Sequence, residues 1–372
     1  MNNQLFDIIK QGISPSRITM IETLRDFKWW RTHKKEATKF MNFGKAFHKL
    51  ILEHDKFDTD VLVFEPPLQN KKGEYSMQLK GNQEALKLFK INHASRDLIL
   101  VTKEEREQLE EMYKSVEENF PQVLKMVTDT RTIKEKKLYF YFLFNEAGEF
   151  CGFEPRTDNF NEPLEFIAKK DTALYDFSGK ALVQIDTIKE GQTLNVIMLT
   201  TDALEAINTI PFKCAAISET TCVNVDDIRF AGRKIKGTII VDALNSKFGF
   251  GFELKSTISA KPDKFLKDAY FKRYDLQGAL YYDVLNEVFV KAENRLDAFL
   301  FLAVENKPSY NCTFFECTDE FLKSGRARYI RRVTGVRNSF VSGFYPSYRY
   351  EANNPNGTLA LDVPKFISEG KF

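Results

Sequence analysis

Residues 238–259, TIIVDALNSKFGFGFELKSTIS, place two apolar runs on either side of a short polar turn. β-Branched and aromatic runs parted by Asn, Ser and Gly predict two antiparallel strands joined by a tight connection. So many apolar positions mark the pair as buried, yet three charged residues sit in it. Asp242 follows Ile239, Ile240 and Val241, and Glu253 and Lys255 follow Phe248, Phe250 and Phe252. Residues two apart on a strand share a face, so Glu253 and Lys255 point the same way. The turn lets Asp242 converge with them at one end of the hairpin. Asp is disfavoured in strand interiors, so its presence there needs a reason.

The rest of the chain supplies cover for such a pair. Residues 14–55 show helical apolar spacing, first in SPSRITMIETLRDFKWWRTH and then in NFGKAFHKLILEHDKF. Residues 70–126 are charged and mostly helical, with Thr102 and Glu105 placed to form a capping box and Pro121 placed to end or kink the run. From about residue 133 the period changes to that of strands, and KKLYFYFLFNEAGEFCGFEP predicts a hairpin around Glu146–Gly148. A helix is expected near 201–209. KPDKFLKDAYFKRYDLQGALYYDVLNEVF predicts one long helix, RLDAFLFLAVE and YNCTFFECT two strands, and TDEFLKSGRARYIRRVTGVRNSF a basic helix. This order predicts an α/β or α+β protein with a central mixed β-sheet flanked by helices. The expected organisation is one domain over 1–372: a helical part over 1–130, a β-rich insertion or sheet extension over 135–215, and a core over 216–343.

Composition narrows the function. Lys and Arg number 54 against 52 Asp and Glu, a net charge of +2, so any nucleic-acid surface has to be local rather than global. No apolar run approaches membrane-spanning length and MNNQLFDIIKQG has no signal-like core, so a cytoplasmic protein without membrane contact is expected. Five scattered Cys with no C-x-x-C predict neither disulfides nor a tetrathiolate zinc site, and none precedes Cys151, so no iron–sulfur cluster is expected. No Walker A pattern is visible, which argues against an ATP-driven motor.

Two carboxylates and an ammonium at a hairpin end can form a hard, oxygen-rich site for Mg²⁺ or Mn²⁺ beside a cation that orients water or stabilises a phosphate. They can equally form an ion pair. Asp242, Glu253 and Lys255 stand as D-x10-E-x-K, which resembles the catalytic signature of the PD-(D/E)xK nuclease superfamily. Downstream, Gln277 and Tyr281 stand as Q-x3-Y, similar to the motif of the RecB-type and λ-exonuclease-type branch. Upstream, FGKAFHKLILEHDKF resembles the G-x-x-x-H-x-x-L-L-E-P-x-x-F string of the RecE (exonuclease VIII) nuclease domain. Gly44, His48, Leu50, Leu52, Glu53 and Phe57 match it, and His54 replaces the usual Pro.

The resemblance implies a restriction-endonuclease-like core and a Mg²⁺-dependent DNA exonuclease of phage or bacterial recombination. It would act 5′→3′ on duplex ends by two-metal phosphodiester hydrolysis. In that reading His48, Asp242, Glu253 and the Leu254 carbonyl serve the metal, Lys255 positions the attacking water, and Gln277 and Tyr281 support substrate and Lys255. It also implies a ring-shaped homo-oligomer and a single-strand annealing protein as partner. A further carboxylate is assigned to Glu219, with Glu135 as the alternative. Three departures stand out. Ile240 occupies the position where the family has Arg, Arg156-Thr157-Asp158 mimics the family's R-x-D elsewhere, and 135–215 has no counterpart.

For substrate, Arg326, Arg328, Arg331, Arg332 and Arg337 form a basic run that could contact phosphates or simply be solvated. Trp29 and Trp30 among Arg31, Lys34 and Lys35 could stack on a DNA end or anchor a core. Two other functions remain open: an endonuclease of the same superfamily, and a non-catalytic DNA-binding or assembly protein on a nuclease-like fold.

Overall fold

The computed structural model describes residues 12–30, 39–73, 79–92, 98–156, 164–176, 182–196, 214–217, 220–290 and 295–348. Contacts divide the chain into two compact units. One comprises residues 1–34, 139–237 and 329–372, and the other 35–138 and 238–328. Two of the divisions, 138/139 and 237/238, fall within the strands Ile133–Phe144 and Lys234–Asn245, which run from one unit into the other.

The unit built from 35–138 and 238–328 holds the hairpin. Its helices are α1 (Lys39–Leu52), α2 (Lys80–Asn92), α3 (Lys103–Asn119), α4 (Pro121–Thr128), α5 (Pro262–Phe271), α6 (Tyr274–Val284) and the start of α7 (Asp319–Ser342). Two short parallel strands, β1 (Val61–Val63) and β2 (Ile99–Val101), pair with each other. The main sheet is mixed, in the order β7 (Cys312–Glu316), β6 (Ala298–Glu305), β5 (Phe250–Thr257), β4 (Lys234–Asn245), β3 (Ile133–Phe144). β4 and β5 are antiparallel, β5 and β6 parallel, and β6 and β7 antiparallel. A parallel pair needs a crossover connection, and α5 and α6 provide it between β5 and β6.

Strand alternation then sorts side chains onto two layers. Phe252 and Leu254 of β5, and Leu302 and Val304 of β6, join one buried cluster with Phe47, Leu50 and Ile51 of α1, Leu109, Met112 and Val116 of α3 and Val123 of α4. Phe299 and Phe301 point the other way and meet Tyr281 and Tyr274 of α6, at 5.5 Å between ring centroids in each pair. Parallel partners share a face, and Glu253 pairs with Phe301 while Lys255 pairs with Ala303. Both charged residues therefore lie on the α6 side.

Local signals account for several boundaries. The Thr102 hydroxyl accepts from the Glu105 N–H at 3.2 Å and the Glu105 carboxylate accepts from the Thr102 N–H at 2.9 Å, a complete capping box for α3. Pro121 opens α4 rather than kinking α3. The long helix expected from Pro262 onward is two helices. Arg273 takes a left-handed conformation (φ 62°, ψ 38°) and caps α6, although a residue with a Cβ disfavours that region by about 1–2 kcal/mol. The break redirects the chain so that α6 runs across the sheet with Gln277 over β5.

In the other unit, residues 140–144 of β3 pair antiparallel with Phe150–Pro155, the hairpin expected around Glu146–Gly148. Phe140, Phe142, Phe150, Phe153 and Tyr329 pack edge-on or tilted around it. Two small antiparallel sheets follow. One orders Val183–Ile188, Thr172–Asp176, Thr221–Asn224 and Cys214–Ala216; the other orders Ile228–Phe230, Leu164–Ala168 and Thr193–Val196. Five strands that begin within the expected β-rich segment 135–215 belong to these sheets. The helix expected at 201–209, and Thr157, Asp158, Glu219, Arg31, Lys34 and Lys35, lie outside the described residues. No helix among the described residues is long and apolar enough to cross a membrane.

Candidate active site

The β4–β5 ladder runs from Asn245↔Phe250 through Leu244↔Gly251 to Ala243↔Phe252. Just past it, the Leu254 N–H donates to Asp242 Oδ2 at 2.7 Å, so a carboxylate takes the place of a backbone carbonyl. This satisfies a buried amide and fixes the carboxylate in one step. The Leu254 side chain, 1% exposed, belongs to the apolar cluster. Asp242 Oδ1 faces His48 Nδ1 at 3.2 Å. α1 belongs to the layer packed on Phe252 and Leu254, so its His48 reaches Asp242 from that side, one residue after Phe47 commits to the core.

Glu253 and Lys255 are bonded to each other: Lys255 Nζ donates to Glu253 Oε1 at 2.8 Å. It also donates to Gln277 Oε1 at 3.1 Å, and the Gln277 amide N–H donates to Glu253 Oε1. Gln277 thus holds both charged side chains at once. Glu253 Oε2 is buried and has no hydrogen-bond partner among the described residues. The Lys255 ammonium lies 4.8 Å from the Tyr274 ring centroid and 5.7 Å from that of Phe301, close enough for cation–π attraction.

Burial and the charge of Asp242 push the Glu253 carboxyl pKa up against the opposing pull of Lys255 and His48. Burial alone would lower the His48 pKa, but the charge and hydrogen bond of Asp242 outweigh it and leave it raised. Lys255 follows the same logic: burial lowers, Glu253 and then Tyr274 raise, and the net is upward. Tyr281 is pushed well above its ordinary value by burial and by Glu253 and Asp242, so its phenol stays protonated beside Gln277. Two acids sharing a buried pocket are costly unless a cation joins them.

The structure therefore brings His48, Asp242, Glu253, Lys255, Gln277 and Tyr281 into one interacting group. Glu135 borders this group, its charge interacting with that of His48, while its side chain contacts Lys49. Its carboxylate is 3.4 Å from Lys49 Nζ, in a network with Glu53 and Asp60, and burial raises its pKa. The basic helix does not present an open row of cations. Arg326 is bidentate on buried Asp283, with Nε donating at 2.7 Å, and Arg328 Nε sits 3.2 Å from buried Asp275. Arg332 Nη1 donates to the Ile18 and Thr19 carbonyls and Arg337 Nε to the Gly232 carbonyl, while Arg331 is exposed. Four of the five arginines thus answer buried acids or backbone carbonyls far away in sequence. Trp29 is 51% exposed, which removes it from any core-anchor role. Tyr274 was missed by motif reading, since only the fold stacks it on Lys255.

Among the described residues no group of three or more His, Cys, Asp and Glu side chains stands at metal-holding spacing. The donor set still suits a hard divalent cation. It offers two carboxylates and an imidazole, with the buried Glu253 Oε2 lacking a partner.

No family model and no curated protein matches the chain. Among solved structures it is similar to one from Eubacterium rectale named "Putative exonuclease", at 12% identity and a TM-score of 0.41, over 100% of this chain and 97% of that one. A likeness of that size leaves the functional reading to rest on the site itself.

Proposed function

We propose that the Asp242–Glu253–Lys255 group is a phosphodiester-hydrolysing site for DNA that works with Mg²⁺, with Mn²⁺ as a substitute. The observation that carries this is the buried, partnerless Glu253 Oε2 beside a second buried carboxylate and a lysine held by Gln277. When bound, the divalent cation supplies Lewis-acid stabilisation of charge developing on the scissile phosphate. Asp242, His48 and Glu253 are the side chains that would hold it.

The remaining residues position the reactants. Lys255 uses two of its three N–H groups on Glu253 and Gln277, which leaves one for a water or a phosphate oxygen. Its raised pKa keeps it cationic, so it orients and stabilises rather than accepting a proton. Gln277 fixes Lys255 relative to Glu253, and Tyr281 offers a protonated phenol at the same place. The resemblance to RecE-like nucleases supports an exonuclease acting 5′→3′ on duplex ends, and with it the ring assembly and the annealing-protein partner.

A linear and a closed circular duplex, each incubated with Mg²⁺, test the reading. Digestion of the linear form alone is the expected result, and cleavage of the circle makes the protein an endonuclease. A second reading has an observation behind it as well. The closed Glu253–Lys255 ion pair, at 2.8 Å, favours a non-catalytic DNA-binding protein. Binding of both DNAs without cleavage of either, at any Mg²⁺ or Mn²⁺ concentration, selects it.

A further inference from the structure

Helix α5 carries apolar surface that its own unit leaves uncovered. Phe271 is 77% exposed, Leu266 56% and Tyr270 51%. Its buried residues are Phe265, stacked on Phe315 at 4.4 Å between ring centroids, and Ala269. Around the exposed rings stand Lys261, Lys264, Lys267, Lys272 and Arg273, against only Asp263 and Asp268. The two acids lie 3.5 Å from Lys261 and 3.2 Å from Lys272, and Lys264 and Lys267 remain exposed.

The order on the helix matters. Lys264, Lys267 and Phe271 follow one another at spacings of three and four, which aligns them along one exposed row. Leu266 and Tyr270, four apart, form the adjacent row. The patch also connects to the candidate site. Tyr270 has the Arg328 guanidinium 4.6 Å and the Arg273 guanidinium 5.8 Å from its ring centroid, and Tyr274, just past the break at Arg273, has the Lys255 ammonium 4.8 Å from its own.

Rings interleaved with lysines match one chemistry better than others. Unpaired bases offer open π-faces to exposed aromatic rings while their phosphates meet the cations between. A duplex keeps its base faces closed, and an apolar protein partner would have to desolvate the lysines. We propose that α5 binds single-stranded DNA and feeds the strand to or from Lys255. The proposal rests on the reading of that site as a DNA hydrolase, and it assigns the substrate beside the site as an unpaired strand.

The test measures fluorescence anisotropy of a labelled oligothymidine and of a blunt duplex in EDTA, where binding is read without cleavage. Phe271→Ala is expected to weaken oligothymidine binding about tenfold and to leave the duplex unaffected. Because Phe271 is exposed, its thermal midpoint should equal the wild type's. The Lys264→Ala/Lys267→Ala pair should lower the slope of log affinity against log salt by about 1.4 for the single strand. Unchanged oligothymidine binding by Phe271→Ala overturns the proposal while wild-type cleavage in Mg²⁺ keeps the hydrolase reading. Equal losses for strand and duplex, or a smaller sedimentation coefficient for Phe271→Ala alone, also overturn it, the latter by making α5 a self-association face. Wild-type binding without cleavage sinks the hydrolase reading, and the Phe271→Ala comparison still decides the surface.

Discussion

The Leu254 amide donates to Asp242 Oδ2 at 2.7 Å where the β4–β5 ladder has ended. One hydrogen bond thereby ties the carboxylate to the strand that carries Glu253 and Lys255. Asp242→Asn keeps an acceptor but puts no charge there, and Asp242→Ala leaves the amide unsatisfied. The second variant should be the less stable by about 1–3 kcal/mol, measured by urea unfolding in EDTA.

Lys255 links the two charged elements of the site to Gln277. Lys255→Ala should reduce single-turnover cleavage of labelled DNA in saturating Mg²⁺ by about 10²–10³, the range seen when a positioned charge-stabilising donor is lost. Gln277→Ala, which frees Lys255 without removing it, should cost less than Lys255→Ala does. Surviving cleavage in Lys255→Ala would place the chemistry elsewhere.

Burial first, and then the charge of Asp242, raise the Glu253 pKa. A raised acid pKa means that the ionised form is disfavoured on folding, so the charge weakens the metal-free protein above the unfolded value of about 4.3. Glu253→Gln should therefore raise the thermal midpoint in EDTA. Mg²⁺ should stabilise the wild type, by about 2.7 kcal/mol at a hundredfold excess over its dissociation constant, and should leave Glu253→Gln unmoved.

Glu305 shows the opposite sign. Burial raises its pKa, but the Ala260 N–H at 2.9 Å and the Asn311 amide at 3.1 Å outweigh burial and leave it lowered. A lowered acid stabilises the fold above its unfolded pKa, and that contribution disappears as pH falls through the folded one. Glu305→Gln should lower stability at pH 7 and flatten the acid limb of a stability–pH curve below about pH 4.3, so that the two proteins converge in acid.

Two glycines separate packing from motif. A Cβ on Gly325 of α7 would stand 1.9 Å from the Asp275 carbonyl oxygen of α6, so Gly325→Ala should be strongly destabilising and should disturb the α6 residues Gln277 and Tyr281. A Cβ on Gly44 of α1 would meet nothing within 4 Å. Gly44→Ala should stabilise the protein by about 0.5–1 kcal/mol in thermal or urea unfolding, because a mid-helix glycine loses backbone entropy without a steric need.

Several parts of this architecture were legible in the residues. The period-2 pattern of FGFELK set Glu253 and Lys255 on one face opposite Phe252 and Leu254, and the structure seats the latter two in the core. Thr102 and Glu105 announced the start of α3. Gln277 and Tyr281, four apart on a helix, had to share a face. Other parts were not. Nothing local marks Arg273 as a left-handed cap, since neither Gly nor Pro stands there. Arg326 and Arg328 read as a solvated or phosphate-binding row until Asp283 and Asp275, on another helix, met them.

Strand period, helix period and capping chemistry act over a few residues, so the sequence by itself determined the hairpin, the start of α3 and the faces that Glu253, Lys255, Gln277 and Tyr281 occupy. Burial, charge pairing and the end of a ladder depend on residues dozens to hundreds of positions apart. Only the tertiary structure decided that His48 reaches Asp242, that Tyr274 covers Lys255, that Glu253 keeps one buried oxygen without a partner, and that the rings of α5 face outward.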